Sequence, residues 1–267
     1  MKRTARTRTS ATPRTAHTFR LSLYAASLLL ALTSASAASA DAGAGPFGVT
    51  AVAAATARTA RVGALFAADR RAHLRGGHFC TASVVHSSHR NLIVTAAHCL
   101  DGRADELVFV PGYRDGEAPY GVWKVGRWLL PEGWAKGRAE DSDVAFGVVA
   151  ERGGEGVEEA VGGNRFAAGT ATGATAVTVT GYTNSREVPI SCTDKPVLRG
   201  RTQQRIACPG FSGGTSGSPW VTGDGAVVGV LGGHDGGGAT ADVSFSVVFG
   251  AEAAGLYQEA ERVAPSN

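Results

Sequence analysis

Thr95-Ala96-Ala97-His98-Cys99, Asp141-Ser142-Asp143-Val144-Ala145-Phe146 and Gly214-Thr215-Ser216-Gly217-Ser218-Pro219 set a histidine, an aspartate and a serine in that order along a 267-residue chain. A serine hydroxyl is a weak nucleophile at neutral pH. It becomes useful when an imidazole takes its proton and a buried carboxylate fixes the imidazole's tautomer. The order restricts the fold, because α/β-hydrolases place the serine first, inside Gly-x-Ser-x-Gly. Here the serine comes last and the fifth position of that pattern is Ser218, so the hydrolase elbow fails on both counts.

The surrounding chain reads as β structure. Thirty-seven glycines, 18% charged and 43% apolar residues suit a turn-rich β protein with a real core better than a helical bundle. Short β-branched or aromatic runs, each bounded by turn residues, predict strands at 81–85, 91–95, 107–110, 121–130 and 144–149. Others follow at 176–181, 205–207, 225–231 and 243–248. Such spacing indicates a sandwich or barrel, not βαβ units. Leu256, Ala260 and Val263 have helical spacing, which predicts a closing helix over 251–264. The glycine-rich stretch 147–173 is expected to contain the junction between two halves, and its acidic cluster, Glu151 to Glu159, reads as a solvated loop.

The N-terminus is not part of that core. Six basic residues and no acid fall in residues 1–20, then a twelve-residue apolar run, Leu21 to Leu32, then small residues to Ala40. This is the pattern of a secretory signal peptide over 1–40, with Ala38-Ser39-Ala40 the preferred cleavage tripeptide and Ala35-Ser36-Ala37 the competitor. The run falls short of the ~20 residues of a spanning helix. Residues 41–61, rich in Ala, Thr and Gly, read as a pro-segment or flexible lead, with the main domain over 62–267. From Val62 onward 18 basic face 22 acidic residues, so the chain's excess of positive charge belongs to the targeting region. No basic patch remains to argue for nucleic acid. Four cysteines, Cys80, Cys99, Cys192 and Cys208, fit an exported protein with two disulfides. No Cys-x-x-Cys or His-x-x-x-His spacing supports a metal.

On the motifs His98, Asp143 and Ser216 and their order, the chain resembles the chymotrypsin-like serine peptidases, especially their compact bacterial secreted members. The resemblance runs from about Val62 to Val263. It implies two packed antiparallel six-stranded β-barrels, an all-β fold with a C-terminal helix, and catalysis in the cleft between them. His98 is then general base and acid, and Asp143 holds its orientation. Asp143 lies 45 residues beyond His98, as is usual in the family, and its Asp-Val-Ala-Phe context matches better than Asp141, the rival two residues away. Ser216 is the nucleophile, and the N–H groups of Gly214 and Ser216 form the oxyanion hole, worth roughly 3–4 kcal/mol per donor. The resemblance also selects Cys80–Cys99, leaving Cys192–Cys208. It implies a secreted, extracellular endopeptidase acting on protein or peptide substrates without cofactor.

Departures from the family pattern bear on activation and specificity. Thr215 stands where vertebrate-type members carry the aspartate that captures a new N-terminal ammonium, so that switch is not expected even if Arg61–Val62 is cut. Ser218 replaces the usual glycine, as in glutamyl-endopeptidase-like relatives. Gly232-Gly233 replaces a Ser-Trp pair in the segment that pairs with substrate. Gly210 stands where a trypsin-like pocket has its acid. Asp242 could supply a basic preference and His234 an acidic one, so Gly232, Gly233, His234 and Asp242 are the candidate substrate-binding residues. A catalytically silent binding protein on the same fold is the alternative, and an esterase or exfoliative-toxin-like activity a third. Nothing argues for oligomerisation; a monomer without membrane contact after signal removal is expected.

Overall fold

The computed structural model describes residues 46–102 and 107–263; the signal-peptide expectation for 1–40 lies outside them. Fifteen strands appear among the described residues: β1 (Thr50–Val52), β2 (Val62–Ala67), β3 (His78–Val85), β4 (Leu92–Thr95), β5 (Leu107–Pro111), β6 (Trp123–Leu129), β7 (Ala145–Val149) and β8 (Arg165–Phe166). Then come β9 (Val177–Gly181), β10 (Ile190–Asp194), β11 (Val197–Arg199), β12 (Gln203–Ile206), β13 (Pro219–Thr222), β14 (Ala226–Val230) and β15 (Ser244–Val247). Helices are short: α1 (Ala57–Ala60), α2 (Glu132–Gly137), α3 (Val157–Val161) and the closing α4 (Ala251–Glu261). None is long and apolar enough to cross a membrane.

Strands β2-β3-β4-β7-β6-β5 close into a barrel. Strands β4, β5 and β7 read as nearly unbroken apolar runs because both their faces are covered. In β4, Ile93 points into the barrel core with Leu65, Val84, Phe109 and Trp123. Its neighbours Leu92 and Val94 point outward, onto Phe146, Val230, Val247 and Leu256. Alternation by strand pleat thus gives each residue of the run a different core. The outer cluster joins the barrel to the second half and to α4, whose buried face is Ala253, Leu256 and Ala260. Burying a leucine there contributes about 1.5–3 kcal/mol.

The second half packs against this barrel and is also all β. It consists of a six-stranded sheet, β1-β10-β9-β13-β14-β8, and a three-stranded one, β11-β12-β15. At the seam between the two sheets one backbone bond, from the Gly232 N–H to the Phe245 carbonyl at 2.9 Å, is joined by side-chain bonds. The Val230 N–H donates to Ser246 Oγ at 3.0 Å, and Gln204 Nε2 donates to the Val228 carbonyl at 3.3 Å. Gly229 makes room for them, since a Cβ there would lie 2.4 Å from Ser246 Oγ. The edge strand β8 pairs parallel with β14.

Residues 46–61 are hydrogen-bonded into this half. Strand β1 pairs antiparallel with β10, setting Thr50 opposite Cys192, and Thr56 caps α1 by accepting the Thr59 N–H. Nothing in the local Thr-Ala-Val sequence announces this strand; pairing with β10 supplies it. In the acidic stretch, Glu158 accepts from the His86 ring at 2.6 Å and from the Ser87 N–H at 3.0 Å. Glu159 pairs with Arg90. These carboxylates fasten the turn between β3 and β4 instead of remaining merely solvated.

Candidate active site

His98 and Asp143 stand on neighbouring turns at one end of the barrel, after β4 and before β7. His98 occupies a one-turn 3-10 segment, Ala97–Leu100, directly after β4. The adjacent Cys99 is bonded to Cys80 of β3, which pins the turn to the neighbouring strand. Asp143 ends the 3-10 turn Glu140–Ser142 just before β7, and β7 is hydrogen-bonded to β4. The apolar strand that begins at Ala145 buries the carboxylate, leaving it 1% exposed.

Three donors converge on that carboxylate. The His98 backbone N–H reaches Oδ1 at 2.9 Å, the His98 ring Nδ1 reaches Oδ2 at 2.7 Å, and the Gly233 N–H reaches Oδ2 at 2.7 Å. An acceptor at Nδ1 fixes the ring proton there and leaves Nε2 free to act as a base. Asp141, the competing acid, is exposed and accepts from Gln203 Nε2 at 2.9 Å. Among the described residues the ring's hydrogen bonds end at Asp143, and none reaches the Ser216 hydroxyl. Such contacts are often long without substrate.

Ser216 is partly exposed, on a loop whose carbonyls are all drawn aside. The Gly213 carbonyl accepts from the Asn184 N–H at 2.7 Å, and the Thr215 carbonyl from the Ser218 N–H at 3.0 Å. In a trans peptide the C=O and N–H point in opposite directions. The N–H groups of Gly214 and Ser216, one from each of these peptides, therefore point away from Asn184 and Ser218. Gly214 has φ +97°, and a Cβ on it would lie 2.4 Å from Asn184 Oδ1; only glycine suits it. Thr81 secures the loop from the barrel side: its N–H donates to the Ser216 carbonyl at 2.8 Å and its hydroxyl to the Gly214 carbonyl at 3.1 Å. Thr215 is buried, and its hydroxyl donates to the Ser212 carbonyl at 2.7 Å. Gly217, φ +82°, packs so closely that a Cβ would sit 2.1 Å from the Thr81 carbonyl and from Thr95 Oγ1.

A family profile described as the trypsin-like peptidase domain matches residues 80–230, which covers the histidine, aspartate and serine motifs together. The chain belongs to the trypsin-like peptidase family. Among solved structures, this peptidase is similar to the protease Anisep from Arthrobacter nicotinovorans, at 26% identity and a TM-score of 0.67, over 77% of this chain and 97% of that one. It is similar to the thermostable serine protease AL20 from an extremophilic microorganism, at 29% identity and a TM-score of 0.66, over 77% and 99%. A Glu endopeptidase at 18% identity and a TM-score of 0.64, over 82% and 99%, shares the fold. No curated protein sequence matches the chain.

The remaining candidates of this trypsin-like peptidase are less engaged with the serine. The Gly232 and Gly233 N–H groups are committed within the protein, to the Phe245 carbonyl at 2.9 Å and to Asp143. A Cβ on Gly232 would lie 2.7 Å from Asp143 Oδ2, so this glycine leaves the space that the carboxylate occupies. His234 sits edge-on to Phe245 between two acids, with Nδ1 3.3 Å from Glu140 and Nε2 3.0 Å from Asp235. Asp242 is exposed. Two groups of described residues bring three metal-type donors together. In one, Cys80 and Cys99 are spent on a disulfide; the other is the exposed set of Glu140, His234 and Asp235. The second disulfide, Cys192–Cys208, ties β10 to the segment leading into the serine loop. Thr81 and Asn184 were missed by motif reading, because each acts through its backbone or a short hydroxyl and carries no signature of its own.

Proposed function

We propose that this peptidase is an exported serine endopeptidase that cleaves peptide bonds through an acyl-enzyme. Ser216 Oγ attacks the carbonyl carbon while His98 Nε2 takes its proton. The same imidazolium then gives that proton to the leaving amine, and water repeats the sequence to release the acid. Asp143 keeps the ring in the required tautomer and stabilises its charge. The Gly214 and Ser216 N–H groups receive the oxyanion. The observation that carries this reading is the buried carboxylate bonded to both the ring and the backbone of His98.

Two disulfides support export, since cytosolic thiols are kept reduced. Residues 46–61 remain attached in the working enzyme, and the preceding basic and apolar stretch serves as its signal. The protein acts as a monomer. Preference for an uncharged side chain before the scissile bond is supported by the absence of any acid from Cys208 to Ser216. It is also supported by the two carboxylates that occupy both nitrogens of His234. A fluorophosphonate probe on the oxidised protein tests the reading. Covalent label on Ser216, lost together with peptide hydrolysis in Ser216→Ala, is the expected result. A folded protein that takes no label overturns it in favour of a binding protein on this fold. Cleavage profiling on a mixed peptide library tests the preference.

A further inference from the structure

His78 opens β3, 6% exposed, in a box formed by Phe66, Tyr113 and Tyr182, with ring centroids 5.7–6.1 Å away. Its Nε2 lies 2.9 Å from the Thr183 carbonyl. A carbonyl only accepts, so Nε2 carries the hydrogen. The Thr183 carbonyl belongs to the same peptide group as the Asn184 N–H, which donates to the Gly213 carbonyl at 2.7 Å. That carbonyl in turn shares its peptide with the Gly214 N–H. Three donors thus stand head to tail: the imidazole, one peptide, and a second peptide whose N–H faces the oxyanion position. Hydrogen bonds in series polarise one another, and each fixes the plane of the next group.

On this geometry, and resting on the serine-peptidase reading above, we infer that His78 is a positioning residue for the oxyanion hole. It holds the Thr183–Asn184 peptide in the orientation that keeps the Gly213 carbonyl out of the hole and the Gly214 N–H in it. The loop has a second need for such a support. Thr215 carries no charge with which to anchor the loop to a chain terminus, and its hydroxyl closes only on Ser212, within the loop. Beyond Ser216 the loop is tied to Leu231 by the Gly217 N–H at 2.7 Å; around Gly214, external restraint comes from Thr81 on one side and from the 182–184 backbone on the other. Gly214 lies against that backbone, where a Cβ would meet the Asn184 nitrogen and the Tyr182 carbonyl at 2.7 Å. The support is strongest when negative charge develops on the substrate oxygen, so its effect falls on the transition state and not on substrate binding.

His78→Phe keeps an aromatic ring in the box and removes the donor; His78→Gln keeps an N–H near the Nε2 position. The expected result for His78→Phe is a kcat lower by about tenfold, less than the loss of a direct hole donor, with KM within about twofold of the parent. Affinity for a peptide aldehyde, which places an oxyanion in the hole, falls in parallel, whereas affinity for a product-like peptide acid stays unchanged. His78→Gln recovers most of both losses. Should the Phe variant fail to fold, Asn184→Pro removes the next N–H of the series from an exposed loop and is read by the same four measurements. Variants that keep kcat and aldehyde affinity within twofold of an active parent overturn the inference and leave the peptidase reading standing. A parent that neither hydrolyses peptides nor takes a fluorophosphonate overturns both.

Discussion

Asp143→Asn is the sharpest perturbation of the site, because three donors leave an amide no comfortable orientation. With its oxygen at the Oδ2 position, the amide still accepts from His98 Nδ1 and the Gly233 N–H, but its NH2 faces the His98 backbone N–H. With its oxygen at Oδ1, that backbone bond survives, the NH2 opposes the Gly233 N–H, and the ring is driven to the tautomer with hydrogen on Nε2. Either way one buried donor loses its acceptor, at about 1–3 kcal/mol of stability. The first orientation removes the negative charge behind the imidazolium, and the second removes the base itself. A loss of about 10³–10⁴ in kcat is expected, about 4–5.5 kcal/mol of barrier. Steady-state hydrolysis of a peptide substrate, with urea unfolding on the same samples, measures both effects. Asp141→Asn is the control and should change kcat by less than about threefold, since Asp141 touches Gln203 and not His98. An Asp143→Asn enzyme within tenfold of the parent, or an Asp141→Asn enzyme equally damaged, refutes the assignment of the carboxylate.

Gly217→Ala forces a Cβ to 2.1 Å from two oxygens at φ +82°; overpacking alone costs about 1–3 kcal/mol, and a lowered Tm with lost probe labelling is expected. Ser218→Ala should leave stability unchanged or raise it by about 1 kcal/mol, since the buried Ser218 hydroxyl has no hydrogen-bond partner among the described residues; thermal unfolding reads the sign. Removing the Cys192–Cys208 bridge by paired alanines should cost on the order of 3 kcal/mol for its short loop, measured by denaturant midpoint. The Glu159 carboxyl is held below the usual carboxylate range by the Gly156 N–H and then by Arg90. Its contribution is present above the unfolded pKa and lost as pH falls through the lower, folded one. Glu159→Gln should therefore differ from the parent in unfolding midpoint at neutral pH and converge with it in strong acid.

The histidine, aspartate and serine motifs were legible because each carries chemistry in its residue types. Most barrel strands were legible because their apolar runs are bounded by turn residues. The closing helix was legible in Leu256 and Ala260, which pack on the interface core. The side-chain part of the seam in the second half was hidden in Gly229, Gln204 and Ser246, three residues whose role there depends on contacts made only in the fold. Strand β1 was hidden for a related reason, since an Ala/Thr segment takes its conformation from β10. The substrate-binding expectation for His234 and Asp242 rests on the family resemblance of their segment. In the fold His234 lies between Glu140 and Asp235, neither of which that resemblance pointed to.

The N-terminal segment and the serine loop bear on one another. Val62 is 3% exposed, so cleavage after Arg61 would create an ammonium at a buried position. Burying an unpaired charge is costly, and the residue before the nucleophile is a threonine whose hydroxyl already closes on Ser212. Cleavage would also sever α1 and β1 from β2 while leaving β1 on β10, next to the half-cystine at position 192. An intact Arg61–Val62 bond avoids both consequences. The oxyanion loop can then form as the chain folds, with its carbonyls held by Asn184 and Thr81. On the proposed function, a loop restrained in this way needs no terminus to switch it on. Blocking cleavage of the Arg61–Val62 bond by substitution of Arg61 is then expected to leave peptide hydrolysis unchanged.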